Sequence, residues 1–151
     1  MTNIGFRPKG DGWDVKEFDV LSTSTVGQFA PCLLGAARTV IEATSASTRI
    51  LGITANASAN SLPAGKIQVY VPKQDTNAVF RTNVQTGVAQ SAFTVYFPFN
   101  IEKSGNTFRA DADSSASAIV QTVGAIDSTT SEVDCVFLTS VLALGSGSTI
   151  L

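Results

Sequence analysis

Between Lys66 and Val71 the chain alternates strictly: Ile67, Val69 and Val71 fall on one face, and Lys66, Gln68 and Tyr70 on the other. This period of two belongs to a half-buried β-strand packed on one side. The preceding run Arg49-Ile50-Leu51-Gly52-Ile53-Thr54 reads as a second short strand, joined to the first by a loop rich in Ser, Ala and Asn. Similar apolar runs, separated by Ser/Thr/Gly or Ser/Ala clusters, predict strands at 15–21, 29–34, 39–43, 49–56, 66–71, 78–83, 92–99, 107–111, 119–126 and 132–138. A helix competes only over 113–121, where Asp113 would cap a serine-rich first turn of low helical propensity. The expectation is an all-β domain, a compact β-barrel or sandwich.

Two turns carry recognisable chemistry. Pro63-Ala64-Gly65 places glycine where a positive φ costs little, and Ser104-Gly105-Asn106 reads as a tight hairpin turn into Thr107-Phe108-Arg109. Phe93, Val95, Phe97 and Phe99 share a face by parity, which marks it as core or subunit interface. Residues 1–14 mix the breakers Gly5, Pro8, Gly10 and Gly12 with Phe6, Arg7, Lys9 and Trp13, and are read as an extended N-terminal arm. Phe6, Arg7, Lys9 and Trp13 are its candidate partner-binding residues, Trp being a frequent interface anchor. The competing reading is that Trp13 plugs the end of the barrel. Residues 15–144 would form the β-rich domain and 145–151 a Gly/Ser-rich flexible tail.

Composition narrows the function. A chain of 151 residues supports a hydrophobic core without disulfides. Charged residues are 15% and the net charge is −2, with ten scattered Lys and Arg, so there is no clustered basic surface for nucleic acid. The absence of histidine removes a Ser-His-Asp triad, a Cys-His pair and every His-bearing zinc site. Cys32 and Cys135 lack a CxxC partner and read as two buried thiols, with a disulfide left open should they lie on adjacent strands. The N-terminus shows no secretory signal, and the apolar run at 136–144 is about half the ~20 residues that cross a bilayer. Synthesis in the cytoplasm and no membrane span are expected.

Candidate chemistry fails on spacing. Asp111-Ala112-Asp113 opens like a calcium loop, but Ala116 stands where glycine is needed and Thr122 where a bidentate Glu is needed. Gly10-Asp11-Gly12 and Gly145-Ser146-Gly147 lack the strand-to-helix setting of a phosphate cradle. The pairs Glu17/Asp19 and Glu132/Asp134 sit at i, i+2 on one strand face, which reads as a solvated face with nothing basic beside it. No catalytic residue, metal or cofactor is assigned, and the chain is not read as an enzyme.

The order of these features resembles the head decoration, or cement, proteins of tailed bacteriophages. The resemblance rests on Arg49-Ile50-Leu51-Gly52-Ile53 and Lys66-Ile67-Gln68-Val69-Tyr70-Val71 and extends as a pattern over about residues 15 to 138. It implies a virion protein that binds the outside of an assembled capsid, contacts the major capsid protein, and forms a homotrimer. The alternative from the residues is a β-sandwich carbohydrate-binding or host-adhesion module, which would stack sugars on Trp13, Tyr70 or Tyr96.

Overall fold

The structure, a computed structural model, describes residues 4–21, 24–35, 38–47, 49–57, 65–73, 78–84, 98–104, 107–111, 118–124, 131–138 and 142. Among these residues there are eleven strands in two antiparallel sheets, packed together as a sandwich. They are β1 (Arg7–Lys9), β2 (Trp13–Asp19), β3 (Pro31–Leu34), β4 (Val40–Glu42), β5 (Gly52–Thr54), β6 (Lys66–Pro72), β7 (Val79–Asn83), β8 (Pro98–Ser104), β9 (Thr107–Asp111), β10 (Val120–Thr122) and β11 (Glu132–Phe137). One sheet runs β2-β6-β5-β3-β4 and the other β1-β7-β11-β10-β8-β9. The first half of the chain thus builds the five-stranded sheet and the second half the six-stranded sheet, except that β1 crosses to the edge of the latter.

The six-stranded sheet has one apolar and one polar face, as strand alternation dictates. Phe80, Phe99, Ile101, Phe108, Ala110, Val120, Val133, Cys135 and Phe137 are all buried, whereas Arg81, Asp134 and Glu102 alternate with them. The five-stranded sheet carries an apolar cluster on each face. Ile67, Val69 and Val71 pack with Val20, Val26, Cys32, Val40 and Leu51 in one cluster, while Ile53 and Trp13 on the opposite face, with Tyr70 half-buried beside them, join the core shared with the other sheet. The alternation expected of β6 is present, with Ile67, Val69 and Val71 buried and Lys66, Gln68 and Tyr70 partly exposed, and of the latter Tyr70 packs against the core between the sheets. An isolated parallel bridge between Asp19 and Thr39 draws the two ends of this sheet together.

The turn at 104–107 follows the expected register: Ser104 lies opposite Thr107, with Gly105 and Asn106 between them outside the described residues. Phe93, Val95, Tyr96 and Phe97, residues 113–117 of the competing helix, and the tail 145–151 also lie outside them. Cys32 sits on β3 of one sheet and Cys135 on β11 of the other; both are free and fully buried, and burial pushes both thiols well above the usual thiol range. They are small core groups.

Gly52 fixes the spacing of the central strands. A Cβ there would lie 2.0 Å from the carbonyl oxygen of Tyr70 and 3.2 Å from a methyl of Val69, so only glycine lets β5 approach β6 this closely. Gly52→Ala is expected to destabilise the fold by about 3 kcal/mol, the upper part of the usual range for overpacking. Urea denaturation of the two proteins checks it.

Candidate functional site

The N-terminal segment singled out from the sequence is built into the sandwich over residues 4–14. Gly5 (φ 73°) and Gly10 (φ 68°) bracket β1, which pairs with β7 through Arg7 opposite Arg81, Pro8 opposite Phe80 and Lys9 opposite Val79. The segment read from the sequence as an extended arm thus holds a three-residue strand paired with β7, and the boundary placed between residues 14 and 15 falls inside β2. The breakers bound a three-residue strand instead of preventing one. Proline is tolerated there because β1 is an edge strand.

The four predicted contact residues divide into two groups. Phe6 is fully buried: its ring stacks on Phe80 at 4.6 Å and lies 6.1 Å from Phe137 and 6.3 Å from Phe108, centroid to centroid. Its backbone N–H donates to the Phe29 carbonyl at 2.9 Å. Trp13 is 8% exposed, and its Nε1 donates to the Val79 carbonyl at 3.0 Å. Both are core residues of this chain, which is the plug alternative for Trp13 and not the role of a surface anchor. Arg7 and Lys9 are exposed. The Arg7 guanidinium lies 3.9 Å from the Phe29 ring centroid and Nε donates to the Ile4 carbonyl, while Lys9 Nζ donates to Asp134 Oδ2 at 2.9 Å.

Asp134 is the meeting point of charges that the linear sequence keeps far apart. Arg81 Nε donates to its Oδ1 at 2.8 Å from the neighbouring strand β7, and Lys9 reaches it from β1. Partial burial pushes its carboxyl up, but the hydrogen bonds and charges of Arg81 and Lys9 outweigh this and hold it below the usual carboxylate range. The expectation of a carboxylate face with nothing basic beside it is corrected here. At the other end of the same strand pairing, Glu132 lies opposite Asn83.

A cleft of about 470 Å³ opens between the end of β4 and the β8–β9 pair, lined by Glu42, Ala43, Thr44, Ser45, Ile101, Glu102, Lys103, Phe108 and Asp111. Its walls are cross-linked: Lys103 Nζ donates to Glu42 Oε1 at 2.5 Å, and Asn100 Nδ2 donates to the Ser45 carbonyl at 3.0 Å. Glu42 Oε2 also accepts from the Gly27 N–H at 2.7 Å, and Glu102 accepts from Arg109. Both glutamates are thus held by cations and donors of this chain, as structural carboxylates are. Among the described residues no group of three or more His, Cys, Asp or Glu side chains gathers as a metal site, and no described helix is long and apolar enough to cross a membrane.

No protein-family model matches the chain, and no curated protein matches it.

Two outcomes follow from this geometry. Phe6→Ala should lower stability by about 3 to 5 kcal/mol, the cost of emptying a packed aromatic site, and thermal or chemical denaturation measures it. Because the folded-state pKa of Asp134 is lowered, the stability it contributes is present above its unfolded value and is lost as pH falls through the folded one. Asp134→Asn should therefore cost about 1 kcal/mol or less at neutral pH, as solvent-screened pairs do, and the difference from the parent should vanish in acid.

Proposed function

We propose that this chain is a virion structural protein that attaches to the outer surface of an assembled phage capsid, through the major capsid protein, and stabilises the shell. The observation that carries the reading is the position of the two stretches on which the resemblance rests. The second lies in β6, and the first runs into the neighbouring strand β5 at Gly52 and Ile53, where Ile53 lies opposite Tyr70. Two motifs separated along the chain are thus one structural unit.

The energetics of such a role suit a rigid, weakly charged body. A protein that binds only the assembled shell stabilises it by mass action, and presenting several copies together, as in a homotrimer, multiplies weak single contacts. The ion pairs Lys9/Arg81–Asp134, Lys66–Asp19, Lys103–Glu42 and Arg109–Glu102 are satisfied within the chain, so attachment would rest on shape and neutral polar contacts more than on long-range charge. Of the predicted contact residues, Arg7 and Lys9 lie at the surface, Lys9 held by Asp134; Phe6 and Trp13 would act by holding β1 in place.

A sugar-binding role would need exposed aromatic platforms. Trp13 is buried and Tyr70 is half-buried against the core between the sheets, so neither favours that reading.

Co-sedimentation with undecorated capsids of the phage that encodes the chain tests the proposal. The chain should pellet with assembled capsids, raise their melting temperature and ignore free capsid subunits; Arg7→Ala combined with Lys9→Ala should weaken pelleting without unfolding the chain. Absence of pelleting by a folded protein would refute capsid attachment.

A further inference from the structure

Strand β2 lies at the edge of the five-stranded sheet, and among the described strands its partner is β6 alone. From Asp14 to Glu17 every side chain is exposed, and Val15, at 53%, is more exposed than Leu21 or Ile41. An open edge of this kind presents unpaired backbone donors and acceptors to another strand.

The phase of the ladder shows which groups face outward. Lys73 N donates to the Gly12 carbonyl at 2.8 Å and Val20 N donates to the Gly65 carbonyl at 2.9 Å. Even-numbered residues of β2 therefore direct their N–H and C=O toward β6, and Trp13, Val15 and Glu17 direct theirs to the open side. Asp19, at the end of the strand, is bridged to Thr39, which limits the free edge to residues before it.

The charges on this edge are arranged about one residue. Asp14 and Lys16 flank Val15 and share the opposite face from it. Among the described residues neither makes an ion pair within the chain, in contrast to Asp19, Glu42, Glu102 and Asp134.

We propose that β2 is a self-association edge, pairing antiparallel with β2 of a second copy about a two-fold axis through Val15. In that register Val15 faces its own copy through two backbone hydrogen bonds, Asp14 lies opposite Lys16 of the other copy twice over, and Trp13 lies opposite Glu17. The other two-fold registers in this stretch, centred on Asp14, Lys16 or Glu17, each set a charge against itself, and like charges directly opposite are destabilising. The charge pattern thus selects one register and one occupant. Such a contact is isologous and closes at two copies. Its short span places it with the small, transient interfaces, so it is populated where local concentration is high. The proposal does not depend on capsid binding.

Sedimentation over a wide range of concentration, read as a doubling of the smallest species, provides the test. The parent protein should double in mass as concentration rises. Asp14→Lys and Lys16→Asp should each weaken doubling by about tenfold or more, since each loses two attractive pairs and gains two repulsive ones. The double variant carrying both changes restores opposite charges and should recover the parent's behaviour. Val15→Cys should cross-link as a dimer on mild oxidation, because directly opposite residues lie within disulfide reach and the two native thiols are buried. A mass that does not change with concentration, a doubling that the single reversals leave intact, or a double variant that fails like the singles would each overturn the proposal. The first outcome would leave the edge to a strand of a different protein.

Discussion

The insertion of Phe6 between the sheets is the contact on which the rest of the sandwich depends. Its ring completes an aromatic cluster with Phe80, Phe108 and Phe137 from three strands of the six-stranded sheet, while its N–H is held by Phe29, in the segment leading to β3 of the other sheet. Burying a phenylalanine stabilises by about 1.5 to 3 kcal/mol, and each well-placed aromatic pair adds about 0.5 to 1.5. Gly5 allows the approach: a Cβ there would meet the Phe29 carbonyl oxygen at 3.0 Å, and its φ of 73° is one that L side chains rarely adopt. Ile4 N donates to the Asn83 side chain at 2.7 Å on the far strand. A few residues thus tie together two sheets that are otherwise built from separate halves of the chain.

Electrostatics follows the same logic of long-range closure. Lys9, Arg81 and Asp134 come from three neighbouring strands, Lys103 and Glu42 from different sheets, and Lys66 and Asp19 from opposite strands of one pair. Exposed pairs of this kind add little stability individually. Their effect is to leave several polar, locally neutralised patches on the surface, in contrast to the exposed stretch of β2.

Much of this architecture is legible from local pattern. β6 alternates because one face is buried while the other stays partly exposed, and the β8–β9 register follows from a Gly-Asn pair between two strand-like runs. What the sequence conceals is distance. Gly5, Pro8, Gly10 and Gly12 look like a segment unable to hold structure, because the strand that accepts β1 lies some seventy positions further on. The basic neighbours of Asp134 are hidden for the same reason. Nothing local distinguishes Trp13 and Phe6 as core side chains from the same residues as surface anchors; the decision is made by Val79, Phe80 and Phe29. Arg7 and Lys9 lie exposed, as their charge alone would lead one to expect.

The crossing of β1 into the later sheet orders events during synthesis. Residues 4–9 leave the ribosome well ahead of β7 and β11, which must both follow before β1 has an edge to join and Phe6 a site to fill. The five-stranded sheet, made from residues 13–72, has all its strands available earlier. Between these moments the nascent chain carries an unsheltered phenylalanine beside a finished half, a state in which a neighbouring copy's β7 edge is as suitable a host as its own. Non-local closure of this kind slows folding and invites exchange of the first strand between chains.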